Sequence, residues 1–523
     1  MLRGERSRFQ LFGDTMNTGT CAFPATTTGY QQERRNYTYA CFDTTASRME
    51  STGIPNRIHI SQETADLITK AGKSNWVAPR ADKVVVKGKG EMETFWLVFK
   101  DSNSRSETGS MASIESSVNG GLSQEDLNVT SDKEERLIKW MVDVLAKPLK
   151  QIKAKRTMMG LDGTKIVLPK LRRASDKTVL DEVKEIVRMP HFDGTTTAPM
   201  VGQEEIVSLD PEVEQQLTEY VACVAKTYRN NPFHNFEHAS HVTMSVIKLM
   251  SRIVAPDLED QKKMCRAGEV ASRLHDHTYG ITSDPLTHFA CAFSALIHDA
   301  DHSGVPNSQV IKEKPWFAEY YNGRSVAEQH SVDLSWNLLM EDRFEALRQA
   351  IYHDEESQIR FRELVVNSVM ATDIMDKELK SLRNNRWDKA FKMNNVDENE
   401  KDTTDRKATI VIEHLIQASD VAHTMQHWHV YRKWNERLFR EMYNAFKDGR
   451  STKNPADFWF EGEKGFFDFY IIPLAQKLKD CGVFGVSSDE YLSYAKKNRH
   501  EWELRGQAIV AEMVATLNNM HAK

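Results

Sequence analysis

The chain has 523 residues, 28% of them charged, and a net charge of −6 at pH 7. This length exceeds the roughly 250–300 residues that a single core serves, so we expect two or three domains. The slight negative charge excludes the basic field that nucleic acid or anionic lipid attracts. Six scattered cysteines without a Cys-x-x-Cys pair predict a reducing compartment. Without a long apolar run or a signal peptide, the chain as given is predicted to be cytoplasmic, with no membrane segment.

Residues 1–100 mix short strand-like runs with one helical stretch. The β-branched or alternating runs lie at 57–60, 83–86 and 94–99, and helical spacing occurs at 65–70. This mixture predicts an α+β fold.

Three motifs in this segment, FGDTMNT from residue 12, ASRMESTG from 46 and VKGKG from 86, resemble the C-terminal part of class III nucleotide cyclases, guanylate cyclases in particular. The resemblance implies that Asn17 and Arg48 orient the ribose and stabilise the triphosphate, with Lys87 near the phosphates. Deleting residues 19–45 would restore the family's continuous run. We therefore interpret this insertion as intron read-through or another gene-model error.

The half of the cyclase domain that brings the metal-binding aspartates is missing from this incomplete domain. Without two metals the 3′ hydroxyl has no activation, so we expect no cyclase activity from this chain. The parent protein would be a membrane receptor that joins a cyclase to a second enzyme. As protein partners, a complete cyclase domain or a second copy of this chain both stay open.

The segment after residue 100 changes composition. Residues 101–131 are rich in Ser, Asn, Gly and Glu and have no aromatic residue, which predicts a disordered linker. Ser131 and Glu134 form a capping-box pattern ahead of an apolar stripe, so a connecting helix and linker are predicted over 132–174. Pro148 would kink or end this helix. The stripe fits packing on its own domain or a signalling or dimerising helix, and the sequence leaves both open.

Residues 175–523 are predicted to form a large all-α domain. Glycine is scarce there, strand-like alternation is rare, and long helical patterns run over 328–339, 361–370 and 410–446.

This half contains a set of residues typical of a metal site. Two histidines at positions 234 and 238 stand four apart, a spacing that projects both from one face of a helix or helical turn. An apolar run then delivers adjacent His298 and Asp299 at a predicted helix end, and Asp420 follows later. Two imidazoles and two carboxylates leave open positions for water and substrate, which predicts metal-assisted hydrolysis.

These residues lie in motifs that resemble the class I cyclic-nucleotide phosphodiesterases over about residues 190–515. In the family's order, the motifs are HNxxHA from 234, ALIHDxDHxGxxN from 295, ExH from 328, ATD from 371, AxD from 418 and GFFD from 465. The resemblance implies a multi-helix HD-type fold. It also implies hydrolysis of a small-molecule 3′,5′-cyclic nucleotide to the 5′-nucleotide in signal transduction.

The resemblance also implies roles for individual residues. The ligands of the tighter ion, usually zinc, would be His238, His298, Asp299 and Asp420. Asp299 would bridge to a second ion, usually magnesium or manganese, held mostly by waters. The residues that fix those waters would be His302, Glu328 and Thr372. A shared water would attack the phosphorus while His234 protonates the departing 3′ oxygen.

One position departs from the family. A glutamine normally precedes by three residues the phenylalanine that stacks on the purine; Phe466 matches the phenylalanine, and Glu463 stands at the glutamine position. An ionised carboxylate only accepts hydrogen bonds. Because guanine alone offers two donors, N1–H and the 2-amino group, we expect cyclic GMP to be favoured over cyclic AMP. A protonated Glu463, a purine held mainly by stacking, or a glutamate that faces solvent would remove this preference.

A second His-Asp pair, His275-Asp276, lacks the flanking apolar run, and we interpret it as a loop in a local insertion. Two other functions stay open: another HD-type nucleotide phosphohydrolase, and a regulatory scaffold with an inactive cyclase remnant. His234, Glu328 and Phe466 argue against the first. The complete ligand set argues against the second.

Overall fold

The computed structural model of the chain describes residues 58–70, 74–80, 84–86, 90–97, 124–161, 168–174, 176–192, 207–253, 267–393 and 399–521. The chain divides into two compact units, Met1–Ser117 and Val118–Lys523.

The described part of the smaller unit contains short strands and one helix. These are β1 (Ile58–Ser61), α1 (Gln62–Lys70), β2 (Val77–Pro79), β3 (Val84–Val86), β4 (Gly90–Met92) and β5 (Thr94–Leu97). β5 pairs antiparallel with both β1 and β2, and β3 pairs with β4. Ile60 and Trp96 are buried while residues beside them in the strands are less so, as expected for a half-covered sheet. The predicted α+β mixture is confirmed.

The described residues of the larger unit form helices and no strand. In chain order the helices are α2 (Gln124–Met158), α3 (Pro211–Thr227), α4 (Phe236–Ser251), α5 (Ala267–His277), α6 (Pro285–Ile297), α7 (Asn307–Glu313), α8 (Pro315–Tyr320), α9 (Val326–Leu339), α10 (Glu345–Ile351), α11 (Glu355–Met370), α12 (Lys377–Phe391), α13 (Glu400–Asp420), α14 (Trp428–Lys447), α15 (Trp459–Phe466), α16 (Ile472–Asp480) and α17 (Val486–His521). The predicted all-α architecture is confirmed. Over the part of the chain that is described, every helix is too short or too polar to cross a bilayer.

Helix α6 lies at the centre of this unit. The Asp284 side chain caps it by accepting from the Thr287 amide at 3.2 Å, and Pro285 occupies its first turn. Every residue from Pro285 to Ile297 except His288 is buried, so neighbours must cover the helix on all sides. Helices α2, α4 and α11 pack against it. The residues that follow its C-terminal end therefore start from a fixed position in the core.

Helix α2 differs from the prediction. It begins at Gln124, so residues 124–131 are helical instead of linker, and the Ser131 capping pattern lies inside the helix. It also continues through Pro148. The side chains that pack into the core on both sides of this proline are Met141, Leu145, Leu149 and Ile152. This burial maintains the turn whose hydrogen bond proline cannot make. Of the two readings of the stripe, the structure shows packing on its own unit. Residues 101–123 lie outside the described residues.

The helical pattern predicted over 410–446 is two helices. α13 ends at Asp420, a 3₁₀ turn spans Ala422–Met425, and α14 begins at Trp428. The interruption places Asp420 at a helix end, where its carboxylate can face the end of α6 instead of lying in a continuous helical face.

Candidate active site

The first histidines of the site lie where the chain enters α4. The Asn235 side chain caps the helix by accepting from the His238 amide at 3.0 Å. His238 is therefore in the first turn, whereas His234 precedes the helix. The prediction that both project from one helical face is wrong. Their ring centroids are nevertheless 6.1 Å apart, because the loop turns the His234 ring toward the same space.

His298 and Asp299 follow the last turn of α6. The Nδ1 atom of His298 lies 2.9 Å from the Ala295 carbonyl oxygen, which can only accept, so Nδ1 carries the proton. A neutral ring then has a lone pair on Nε2. This buried Nε2 makes no hydrogen bond of adequate geometry among the described residues. A ring oriented by a backbone carbonyl, with its other nitrogen unengaged, is the usual arrangement of a metal-binding histidine.

Side chains from three helix ends converge on this nitrogen. His298 Nε2 lies 3.1 Å from Asp299 Oδ2 and 3.4 Å from Asp420 Oδ1. His238 Nε2 lies 3.1 Å from the same Asp420 oxygen and 3.7 Å from Asp299 Oδ2. One ligand atom each from His238, His298 and Asp299 lies within 4.8 Å of the others. The four residues predicted as ligands are therefore neighbours in space, and we call them the metal cluster.

The donor chemistry of this cluster fits a divalent cation. Burial raises the pKa of Asp420, but the hydrogen bond from His238 and the adjacent His298 imidazole lower it more, so it stays below its ordinary value. The pKa of Asp299 is likewise lowered, since His298 outweighs the opposing effect of burial. Two carboxylates that remain ionised beside two imidazole nitrogens form an N/O set that zinc and similar ions accept.

His234 is held by a residue that the sequence analysis missed. Its Nδ1 pairs with Glu441 Oε1 of α14, and Glu441 Oε2 accepts from the backbone amides of Phe233 at 2.8 Å and His234 at 3.0 Å. Burial lowers the pKa of His234, but the Glu441 carboxylate more than offsets this and raises it to about 9. His234 is therefore a cation at neutral pH. No sequence motif marks Glu441, because it contacts His234 only through tertiary packing.

His302 lies beside His234, with 3.9 Å between ring centroids. Asn231, also missed, joins the two loops by donating to the carbonyls of His234 at 2.9 Å and His302 at 2.8 Å. Gly304 has φ +73°, and a Cβ there would lie 3.2 Å from Asn231 Oδ1. Glycine is therefore needed for both the backbone conformation and the close approach. Burial, followed by the charge of His234, lowers the pKa of His302 to about 4.

Glu328 and Thr372, predicted to hold waters of the second ion, occupy different surroundings. Glu328 Oε2 accepts from Asn307 at 2.9 Å. Burial and the nearby Asp373 raise the pKa of Glu328 to about 8, and the charge of Asp299 adds to the effect. Glu328 is thus within electrostatic reach of the metal cluster. The Thr372 hydroxyl donates to the Val369 carbonyl at 2.7 Å and keeps its lone pairs for a further donor.

Glu463 is buried in α15 and does not face solvent. Its Oε2 accepts from the Tyr431 hydroxyl at 2.7 Å. Burial raises the pKa of Glu463 to about 7 despite the opposing hydrogen bonds from Tyr431 and Asn435. Phe466 stacks on Tyr470 at 5.4 Å. Burial raises the pKa of Tyr470 and the charge of Asp420 adds to the rise, so Tyr470 lies within electrostatic reach of the metal cluster.

The second His-Asp pair does not join this site. His275 lies in the last turn of α5, so its prediction as a loop is wrong. Its Nδ1 pairs with Ser283 Oγ at 2.6 Å, and its ring packs on Phe192 at 4.6 Å. The candidates of the cyclase-like segment lie outside the described residues: Asn17, Arg48 and Lys87. The insertion at 19–45 lies outside them as well.

Comparison with protein families agrees with this geometry. Residues 233–483 match the model of the 3′5′-cyclic nucleotide phosphodiesterases, and residues 15–99 match that of the adenylate and guanylate cyclase catalytic domain. The part of the larger unit that carries the four residues of the metal cluster therefore matches the catalytic domain of the cyclic nucleotide phosphodiesterases. A short segment before it matches the cyclase catalytic domain.

Individual relatives show the extent of the similarity. A probable 3′,5′-cyclic-AMP phosphodiesterase of Caenorhabditis elegans is 27% identical over 56% of this chain and 40% of its own length. A cGMP-specific 3′,5′-cGMP phosphodiesterase of Dictyostelium discoideum is 21% identical over 56% of this chain and 57% of its own. The solved phosphodiesterase domain of Salpingoeca rosetta rhodopsin phosphodiesterase is 20% identical, with a TM-score of 0.43 over 66% of this chain and 94% of that domain. The chain thus spans about two fifths to three fifths of these two curated relatives.

Proposed function

We propose that this protein hydrolyses 3′,5′-cyclic nucleotides to 5′-nucleotides with the help of divalent cations. The observation that supports this most strongly is the convergence of His238, His298, Asp299 and Asp420 beside the cationic His234. The convergence lies within the segment that matches the phosphodiesterase family.

The ligand set and its surroundings support two cation positions of different character. Zinc suits the two imidazoles and two carboxylates, and magnesium or manganese suits the oxygen-rich side toward Glu328 and Thr372. Bound cations would supply Lewis-acid charge to the phosphoryl oxygens and lower the pKa of a water. Asp299, whose carboxylate stays ionised, would serve both positions. His302 would orient waters of the second position.

His234 would donate the proton that the leaving 3′ oxygen needs. An alkoxide is a poor leaving group, and a protonated imidazole next to it removes the developing charge. Glu441 would keep His234 protonated and fix its orientation, because both carboxylate oxygens are engaged by the His234 ring and by the adjacent backbone. The resulting product is the 5′-nucleotide.

For the base we propose that cyclic GMP is favoured over cyclic AMP. The names of the relatives include enzymes for each nucleotide, so the support comes from Glu463. Tyr431 donates to Oε2 of this carboxylate, and Oε1 would face the base. When ionised, that oxygen accepts from guanine N1–H and the 2-amino group, whereas adenine N1 presents a lone pair to it. Phe466 would stack on the purine.

The test is hydrolysis of cyclic GMP and cyclic AMP by the full chain, with and without a chelator. The full chain is required because a fragment that begins at residue 175 would lack α2 and its buried core residues. We expect 5′-nucleotide products, loss of activity with chelator, and recovery when zinc plus magnesium or manganese is restored.

Two results would contradict the proposal. Cleavage of linear nucleoside triphosphates without cleavage of cyclic nucleotides would favour another HD-type phosphohydrolase. No hydrolysis of any nucleotide by folded protein that has bound its metals would favour a regulatory scaffold.

A further inference from the structure

Glu463 is the last member of a buried hydrogen-bond chain with a fixed direction. Trp459 Nε1 donates to Asn435 Oδ1 at 3.2 Å, Asn435 Nδ2 donates to Tyr431 Oη at 3.4 Å, and Tyr431 Oη donates to Glu463 Oε2 at 2.7 Å. All four side chains are at most 8% exposed. Neither Asn435 nor Trp459 belongs to any motif of the sequence.

The direction follows from the chemistry of Trp459. An indole nitrogen can donate but never accept, so the Asn435 amide must turn its oxygen toward Trp459 and its nitrogen toward Tyr431. The Tyr431 hydroxyl then accepts from Asn435 and has only Glu463 left to receive its own proton. A donor fixed at Oε2 favours the ionised carboxylate and directs any carboxyl proton to Oε1.

The charged groups around Glu463 leave this hydrogen-bond chain as the main polar influence on its pKa. The charged groups of the neighbouring helices are paired with one another: Lys464 with Glu461, Asp468 with Arg499, and Arg432 with Glu512. The pKa of Glu463 is raised by burial and lowered only by Tyr431 and Asn435. Loss of the chain would therefore leave burial unopposed.

We propose that Trp459 and Asn435 are positioning residues for base recognition, which force Tyr431 to donate to one oxygen of Glu463 and so keep the other oxygen an acceptor for guanine N1–H and its 2-amino group. This inference rests on the proposed function. It predicts that the preference for cyclic GMP depends on residues that never touch the nucleotide.

The experiment measures the ratio of kcat/KM for cyclic GMP to that for cyclic AMP between about pH 6 and about pH 8. The ratio cancels ionisations that both substrates share, including that of His234. In the wild type the ratio rises with pH as Glu463 ionises. Asn435→Asp gives Tyr431 a competing acceptor, and Trp459→Phe frees the Asn435 amide to turn over. At about pH 8 we expect the ratio to fall about tenfold in N435D and about threefold in W459F, with the rise displaced to higher pH.

Trp336→Phe is the matched control. Trp336 is buried and its indole donates to the Leu171 carbonyl at 2.9 Å, outside the hydrogen-bond chain, so its loss should change the thermal midpoint but not the ratio. If N435D does not fold, Asn435→Leu removes the chain without adding charge.

The outcomes separate this inference from the proposed function. It is overturned if folded W459F and Asn435 variants keep the wild-type ratio and pH dependence while Glu463→Gln changes them. If the metal-loaded wild type hydrolyses neither nucleotide, the proposed function fails and this inference fails with it.

Discussion

The metal cluster and the surroundings of Glu463 stabilise buried carboxyl groups in opposite ways. In the cluster, Asp299 and Asp420 face His238 and His298, and each carboxylate stays ionised because an imidazole compensates its burial. Around Glu463 only neutral donors are present, and its pKa rises to about 7. Imidazole partners therefore keep a buried carboxylate ionised, whereas neutral donors leave a buried carboxyl between its two protonation states. The first arrangement suits a site that must always bind cations, and the second suits recognition of a neutral base.

Asp299→Asn should have the largest effect. It keeps the shape of the side chain but removes the charge that His298 stabilises and that both cation positions would share. We expect activity to fall by about 10³-fold or more, with loss of bound zinc and of the second ion, measured by metal analysis of the purified protein. Asp276→Asn, at an exposed position of α5, is the control and should keep both the activity and the bound metals. Full metal content in D299N would contradict the ligand assignment.

His234→Asn separates proton donation from metal binding. His234 lies beside the cluster but is bound to Glu441, so zinc content should stay at the wild-type value while kcat falls by about 10²- to 10⁴-fold. His241→Asn, at an exposed position on α4, is the matched control and should retain activity. Equal losses of zinc and kcat in H234N would instead place His234 among the ligands.

Glu441→Gln tests whether this carboxylate keeps His234 protonated. Glu441 raises the pKa of His234 to about 9, so wild-type activity should decline only as the pH rises through that value. Without the carboxylate, burial is opposed only by the charges of Asp299 and Asp420, so the pKa of His234 falls and the decline should move to lower pH. At about pH 8 we expect a loss of about 10- to 100-fold, and less at about pH 6. Glu436→Gln, exposed on the same helix, is the control. A pH profile that keeps its wild-type shape would exclude this role.

The metal cluster could be predicted from the sequence, but its supports could not. Coordination restricts the residue types at each position, so His298 and Asp299 stand out in a short motif. Glu441 and Asn231 have no such signature, since tertiary packing brings Glu441 to His234 and Asn231 to His302. In the second region, the family pattern indicated Glu463 but no other residue of its hydrogen-bond chain.

The start of α2 was mispredicted for a related reason. The capping pattern at Ser131 is a local signal that the helix passes through, and the buried side chains on both sides of Pro148 outweigh the effect of the proline. Local patterns were therefore most informative where chemistry restricts the residue type. They were least informative where packing decides.

Glu463→Gln tests the second region, where only neutral donors surround the carboxyl group. Glutamine can donate or accept and serves either base, so the ratio of kcat/KM for cyclic GMP to that for cyclic AMP should fall about tenfold at about pH 8. Because ionisation of Glu463 is lost, the remaining ratio should no longer vary around pH 7. Glu461→Gln, an exposed position on the same helix, should leave the ratio unchanged. An E463Q ratio identical to that of the wild type would indicate that this side chain does not contact the base.

The smallest effects are expected from glycine-to-alanine variants, which measure how tightly the two regions are packed. Gly304→Ala places a Cβ 3.2 Å from Asn231 Oδ1 and 3.5 Å from Glu441 Cγ at φ +73°. We expect it to lower the free energy of unfolding by about 2 kcal/mol. Gly449→Ala has the same φ and no atom within 4 Å, so it should lose about 1 kcal/mol and isolate the cost of the backbone conformation.

Gly465→Ala, in α15 near Glu463, meets nothing closer than Phe469 at 3.9 Å and should stabilise the helix by up to about 1 kcal/mol. Denaturant unfolding of the three variants measures these differences. If G304A and G449A lost the same free energy, the contact at Asn231 would have no cost, and the loop that holds His302 against His234 would be looser than the metal cluster requires.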